Sequence, residues 1–112
     1  MRLQTESFRP PKIQEKRRGL RVNSRITVIL EWQGTAGEKL RAEGFTRVVG
    51  HYGCLVVFPQ GLGKDQHVQV TNTATDQANE AVVVWQGKKG GDGWELGIEL
   101  TRPPMGFWGL EI

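Results

Sequence analysis

Trp94-Glu95-Leu96-Gly97-Ile98-Glu99-Leu100 is the stretch whose reading decides the fold. Trp94, Leu96, Ile98 and Leu100 recur at a period of two, with Glu95, Gly97 and Glu99 between them. In an extended backbone successive side chains point to opposite faces, so the pattern is a strand with one apolar and one polar face. Pro103-Pro104 then ends it, since proline has no N–H for a sheet ladder.

The same reading extends upstream. Ala81–Trp85 is a short apolar, β-branched run, expected to be a strand buried on one face with Trp85 closing the buried run. The Gly/Lys stretch 86–93 between these two strands reads as a flexible hairpin loop. His67–Thr71 alternates around Val68 and Val70, Cys54–Phe58 is a compact apolar strand, and Lys39–Val49 is a longer one with weaker alternation. Gly50-His51-Tyr52-Gly53 breaks the chain between those last two. In Arg25–Trp32, Ile26, Val28, Leu30 and Trp32 share one face. Six short strands separated by Gly-rich turns, with no helical period, predict an all-β fold. A six-stranded antiparallel barrel suits it best, because an open sheet of this size leaves unpaired edges.

At 112 residues there is room for one core, and the expected organisation is a basic arm over 1–24, a barrel over 25–102 and a tail over 103–112. Met105–Ile112 reads either as the first turn of a truncated helix or as a tail packed over a barrel mouth. A hydrophobic content of 38% with 24% charged residues excludes a wholly disordered chain. No apolar run approaches the ~20 residues of a spanning helix. The first residues carry no apolar signal segment, and the single cysteine, Cys54, reads as a small buried hydrophobe, so the expected location is the cytoplasm.

The net charge of +3 hides a segregation. Residues 1–25 carry eight basic and two acidic residues, a net of +6, and the remainder carries seven basic and ten acidic, a net of −3. The basicity belongs to the arm, which argues for a local anion site and against a basic face that wraps nucleic acid. Pro10-Pro11 keeps the arm extended, and Lys16-Arg17-Arg18-Gly19-Leu20-Arg21 comes after it.

Catalysis has little to work with. His51 and His67 belong to no nucleophilic arrangement, Cys54 lacks a zinc-binding spacing with them, and Asp65, Asp76 and Asp92 read as turn residues. Lys88 and Lys89 lie in a Gly-rich stretch without the order of a phosphate loop. The sequence reads as a non-enzyme with no metal and no cofactor. In the arm, the guanidinium groups of Arg17 and Arg21, with Arg18 beside them, offer planar donor forks that match phosphate oxygens and the O6/N7 edge of guanine. By spacing alone a solvated basic linker is the other reading.

Arg17-x-x-x-Arg21 before a barrel, then Val-Val-Val-Trp85, Leu96-Gly97-Ile98-Glu99-Leu100 and Pro103, resembles the PilZ family over roughly residues 16–108. The resemblance implies a six-stranded barrel that binds the bacterial second messenger cyclic di-GMP. It implies that Arg17 and Arg21, helped by Arg18, grip the guanine and phosphate groups. The family's second motif, Asp/Asn-x-Ser-x-x-Gly, places its glycine on Gly53, its serine on Gly50 and its acidic or amide residue on Val48. Gly50 has no hydroxyl and Val48 no acceptor, and each lost hydrogen bond to a buried ligand edge costs about 1–3 kcal/mol. Thr46, Arg47, His51 and Tyr52 are the nearby polar side chains that can compensate.

The expectation is therefore a cyclic di-GMP signalling module with weakened binding, using Arg17, Arg18, Arg21, Gly50 and Gly53. The alternative is a degenerate PilZ domain that binds a protein partner and no nucleotide. A third reading, a small-barrel nucleic-acid binder, is disfavoured by the acidic body and by the placement of Trp32, Trp94 and Trp85 on apolar faces or at the end of a buried run. No membrane partner is expected.

Overall fold

The computed structural model describes residues 21–110. They form seven strands: β1 (Arg21–Asn23), β2 (Thr27–Gln33), β3 (Lys39–Gly50), β4 (Gly53–Phe58), β5 (His67–Asn72), β6 (Gln77–Gly90) and β7 (Gly93–Leu100). All pairings are antiparallel, in the order β1-β3-β2-β5-β6-β7-β4, and β3 also pairs with β4. The β3–β4 pairing closes β2 to β7 into the expected six-stranded barrel. The long β3 makes closure possible: residues 39–45 face β2, residues 48–50 face β1, and β4 runs along the other edge. β1 is a seventh strand laid end to end with β2, inside the segment read from the sequence as arm.

Alternation builds the core. Val28, Leu30 and Trp32 from β2 meet Val56 and Phe58 from β4, Val68 and Val70 from β5, Ala81 and Val83 from β6, and Leu96, Ile98 and Leu100 from β7. The Trp32 and Phe58 rings meet edge to face at 5.6 Å. Each such side chain contributes roughly 1.5–3 kcal/mol on full burial, and together they hold the interior closed.

Three bulges break the alternation, one in β3 and two in β6, and the β3 bulge and the first of β6 shape the outer face of the sheet. In β3, Thr46 is opposite Val56 but Val48 is opposite Leu55, so Arg47 is extra. An extra residue reverses the facing of the residues after it. Val49 thus points inward, fully buried, and Val48 is left on the outside. In β6, Val83 is opposite Ile98 but Trp85 is opposite Gly97, so Val84 is extra. Period two from Ala81 and Val83 predicts an inward Trp85; the bulge turns it outward instead, 49% exposed. Trp85 therefore does not close a buried run.

The stretch 86–93 also differs from its sequence reading. It is no loop: β6 continues to Gly90, β7 begins at Gly93, and only Gly91-Asp92 forms the turn. Ladder hydrogen bonds to β7 hold residues whose composition alone suggests flexibility. Asp65 and Asp76 are turn residues with positive φ, at 75° and 61°.

Beyond Pro104 the described chain forms turns and no helix. Phe107 and Trp108 are buried, 1% and 3% exposed, across one end of the barrel. The fully buried Asn72 side chain latches them by donating from Nδ2 to the Phe107 carbonyl at 2.9 Å, while its Oδ1 accepts from the Ala74 N–H. Among the described residues no helix is long and apolar enough to cross a membrane.

Candidate functional site

Outward-facing positions of β1, β3, β4, β7 and β6 come into register as two transverse rows. Arg21 is opposite Gly50, Gly50 opposite Gly53, and Gly53 opposite Glu99. The neighbouring row runs Asn23, Val48, Leu55, Gly97, Trp85. Two-residue steps along each strand keep both rows on one face of the sheet.

Between the rows lies a hollow of about 340 Å³, lined among others by Arg21, Val48, Gly50, Gly53, Trp85 and Glu99. Its floor is bare where Gly50 and Gly53 face each other across the His51-Tyr52 turn. Gly53 has a structural requirement as well: a Cβ there would run into the Ile98 carbonyl of β7. Arg21 lines the hollow at one end of the first row and Glu99 at the other, with Trp85 at the end of the neighbouring row. Trp85 lies close over glycines, since a Cβ on Gly87 would sit 2.6 Å from its ring and one on Gly97 3.2 Å from its Cβ. Those two glycines leave space for an indole flat against the outer surface.

The floor is fixed from behind. Trp108 donates its Nε1–H to the Gly50 carbonyl at 2.8 Å, tying the C-terminal segment to the turn. The buried Thr46 hydroxyl donates to the Ser24 carbonyl and accepts from the Ile26 N–H at 2.9 Å, bridging the bend between β1 and β2. Thr46 thereby positions the strand that carries Arg21. The partly buried Cys54 packs against the core, and burial pushes its thiol up to about 12 from 9.0, which favours the protonated form.

Of the residues selected from sequence, Arg21, Gly50 and Gly53 line this hollow together. Arg17 and Arg18 lie outside the described residues. Val48 lines it with an apolar side chain. Among the nearby polar side chains, Thr46 points inward and is engaged with Ser24 and Ile26. Arg47 pairs with Asp92 at 3.4 Å and Glu95 at 3.3 Å. Tyr52 lines the hollow, with the His51 ring edge-on to its own at 4.5 Å. Trp85 and Glu99 also line the hollow and are not among the ligand-binding residues expected from the sequence. Alternation marks Glu99 as outward, but only the Val84 bulge brings Trp85 beside it. Among the described residues no group of three or more His, Cys, Asp or Glu is placed to hold a metal ion.

No family model matches the sequence, and neither does any curated protein. Among solved structures the chain is similar to the PilZ domain, with c-di-GMP, of YcgR from Escherichia coli. The TM-score is 0.54 at 11% identity, over 78% of this chain and 79% of that one. At that identity the likeness speaks to architecture. The closed six-stranded antiparallel barrel, with its extra strand on β3, is the fold of a PilZ domain.

Proposed function

We propose that the chain is a non-enzymatic signalling module that binds cyclic di-GMP in the outer hollow. The observation that carries this reading is the row Arg21–Gly50–Gly53–Glu99, with Trp85 diagonal to Glu99 on the next strand. A bare glycine floor admits a flat base, an indole offers a stacking face, and a guanidinium offers donors to phosphate or to guanine O6/N7. The structurally similar PilZ domain is described with c-di-GMP. Arg17 and Arg18, four and three residues before Arg21 in the sequence, would bring further guanidinium groups to the ligand.

Val48 and Gly50 supply no side-chain hydrogen bond at the ligand edge, so binding is weaker than in a domain carrying both polar groups. Calorimetric titration with cyclic di-GMP tests the proposal. Saturable binding is expected, reduced about tenfold or more by Arg21→Ala, which removes a charge-assisted contact. No heat at high micromolar ligand would refute it.

A second reading has an observation of its own. Val48, Leu55, Val84 and Tyr52 line the hollow with apolar surface, and Val84 and Trp85 are exposed. A protein partner that seats an apolar side chain there would fit. Cross-linking that recovers a partner, from a chain that fails the titration, would favour it.

A further inference from the structure

We propose that Glu99 reads the Watson–Crick edge of the bound base and makes the hollow selective for guanine over adenine. This rests on the nucleotide reading above and adds the residue that sets its specificity. Arg21 and Glu99 end the same transverse row, with only the two facing glycines between them. Three strand spacings separate their backbones, about 14 Å, and both residues line the hollow. Among the described residues they are the one basic and the one acidic residue of its lining.

Guanine presents two kinds of edge. Its N1–H and N2–H₂ are adjacent donors, and its O6 and N7 are acceptors. A base lying on the glycine floor can turn its acceptor edge towards the guanidinium and its donor edge towards the carboxylate. A carboxylate accepts at both oxygens, so it matches two adjacent donors. Adenine has an N1 acceptor where guanine has N1–H, and a carboxylate facing it gains one hydrogen bond at most and meets a lone pair.

The arrangement also answers the loss at Val48. The outward position opposite Leu55 carries no acceptor, but β7 supplies one two strands away, on the same face. Glu99 stands two residues from Gly97, against which Trp85 packs. Diagonal neighbours of this kind lie within reach of aromatic and long side chains. The indole and the acceptor therefore stand at neighbouring positions of one outer face.

The experiment titrates the full chain, and its Glu99→Gln and Glu99→Asp variants, with cyclic di-GMP and cyclic di-AMP in parallel. The parent protein should prefer cyclic di-GMP by about tenfold or more, the usual worth of a two-point base contact. Glu99→Gln replaces one acceptor by a donor, which suits the adenine edge. Its preference should fall about tenfold, with cyclic di-AMP binding unchanged or tighter. Glu99→Asp keeps a carboxylate and should retain the preference while weakening both ligands. Thermal unfolding of each variant checks that the barrel is intact. Equal affinity of the parent for the two dinucleotides, or an unchanged ratio in Glu99→Gln, overturns the inference while leaving nucleotide binding in place. Absence of binding to either dinucleotide removes the functional reading and this inference with it.

Discussion

Trp85 and Cys54 show how position, more than residue type, sets what a side chain does here. Both end or begin apolar runs, yet one faces out and the other packs inward. Trp85→Ala should weaken cyclic di-GMP by the worth of one stacked base, about 1–3 kcal/mol. Being half exposed, it should change the thermal midpoint little; a large drop in midpoint would mean that the indole is a structural cover. Cys54 carries a pH signature. Its thiol is raised from 9.0 to about 12 in the folded chain, so the folded state holds the proton more tightly than the unfolded one. That stability is fully present below pH 9 and is lost as pH rises towards 12. Urea titrations across this window should show a shallower fall in Cys54→Ala than in the parent. A thiol reagent at neutral pH should react only as the chain unfolds.

The elements are ordinary strands made useful by their irregularities. The Arg47 bulge sends Val49 into the core and Val48 to the surface, and the Val84 bulge delivers Trp85 to the hollow. The C-terminal segment adds a second device, since Trp108 holds the Gly50 carbonyl and Asn72 holds Phe107. Trp108→Phe keeps an aromatic ring and removes the donor. It should cost about 1–3 kcal/mol in urea unfolding, because a partly buried carbonyl loses its partner, and should lower nucleotide affinity by loosening the turn. Thr46→Val tests the other support. It removes both hydroxyl bonds at the β1–β2 bend and should cost a similar amount, about 1–3 kcal/mol. A neutral result in either would show that solvent replaces the bond without strain.

At the scale of the whole molecule, charge and architecture are divided. The barrel body is mildly acidic, and the positive charge is concentrated before residue 26. Removing residues 1–20 should leave the barrel folded, since β1 to β7 and the core formed by the described residues lie beyond them. The truncated chain should lose most of its cyclic di-GMP affinity, together with most of the salt dependence of binding, because salt screens the attraction between the arm's basic residues and an anionic ligand. Calorimetry of both forms at two ionic strengths measures this. Closure of the sheet also predicts one cooperative unfolding transition, as no strand of the barrel can leave without opening two ladders.

Alternation determined most of the architecture without any coordinates. The apolar faces of β2, β5 and β7 were legible because an extended chain buries every second side chain, and Gly50–Gly53 was legible as the break between two strands. The resemblance carried by Arg17, Arg21 and the Leu96–Leu100 stretch pointed to the same barrel. Tertiary structure alone decided which residues share the outer face. A bulge is defined by two residues facing one on the partner strand, so the outward turns of Val48 and Trp85 follow from the pairing and could not be placed along the chain alone. Strand order is equally non-local. Arg21, the Gly50–Gly53 turn and Glu99 are far apart in the sequence, and only the β1-β3-β4-β7 register brings them into one row.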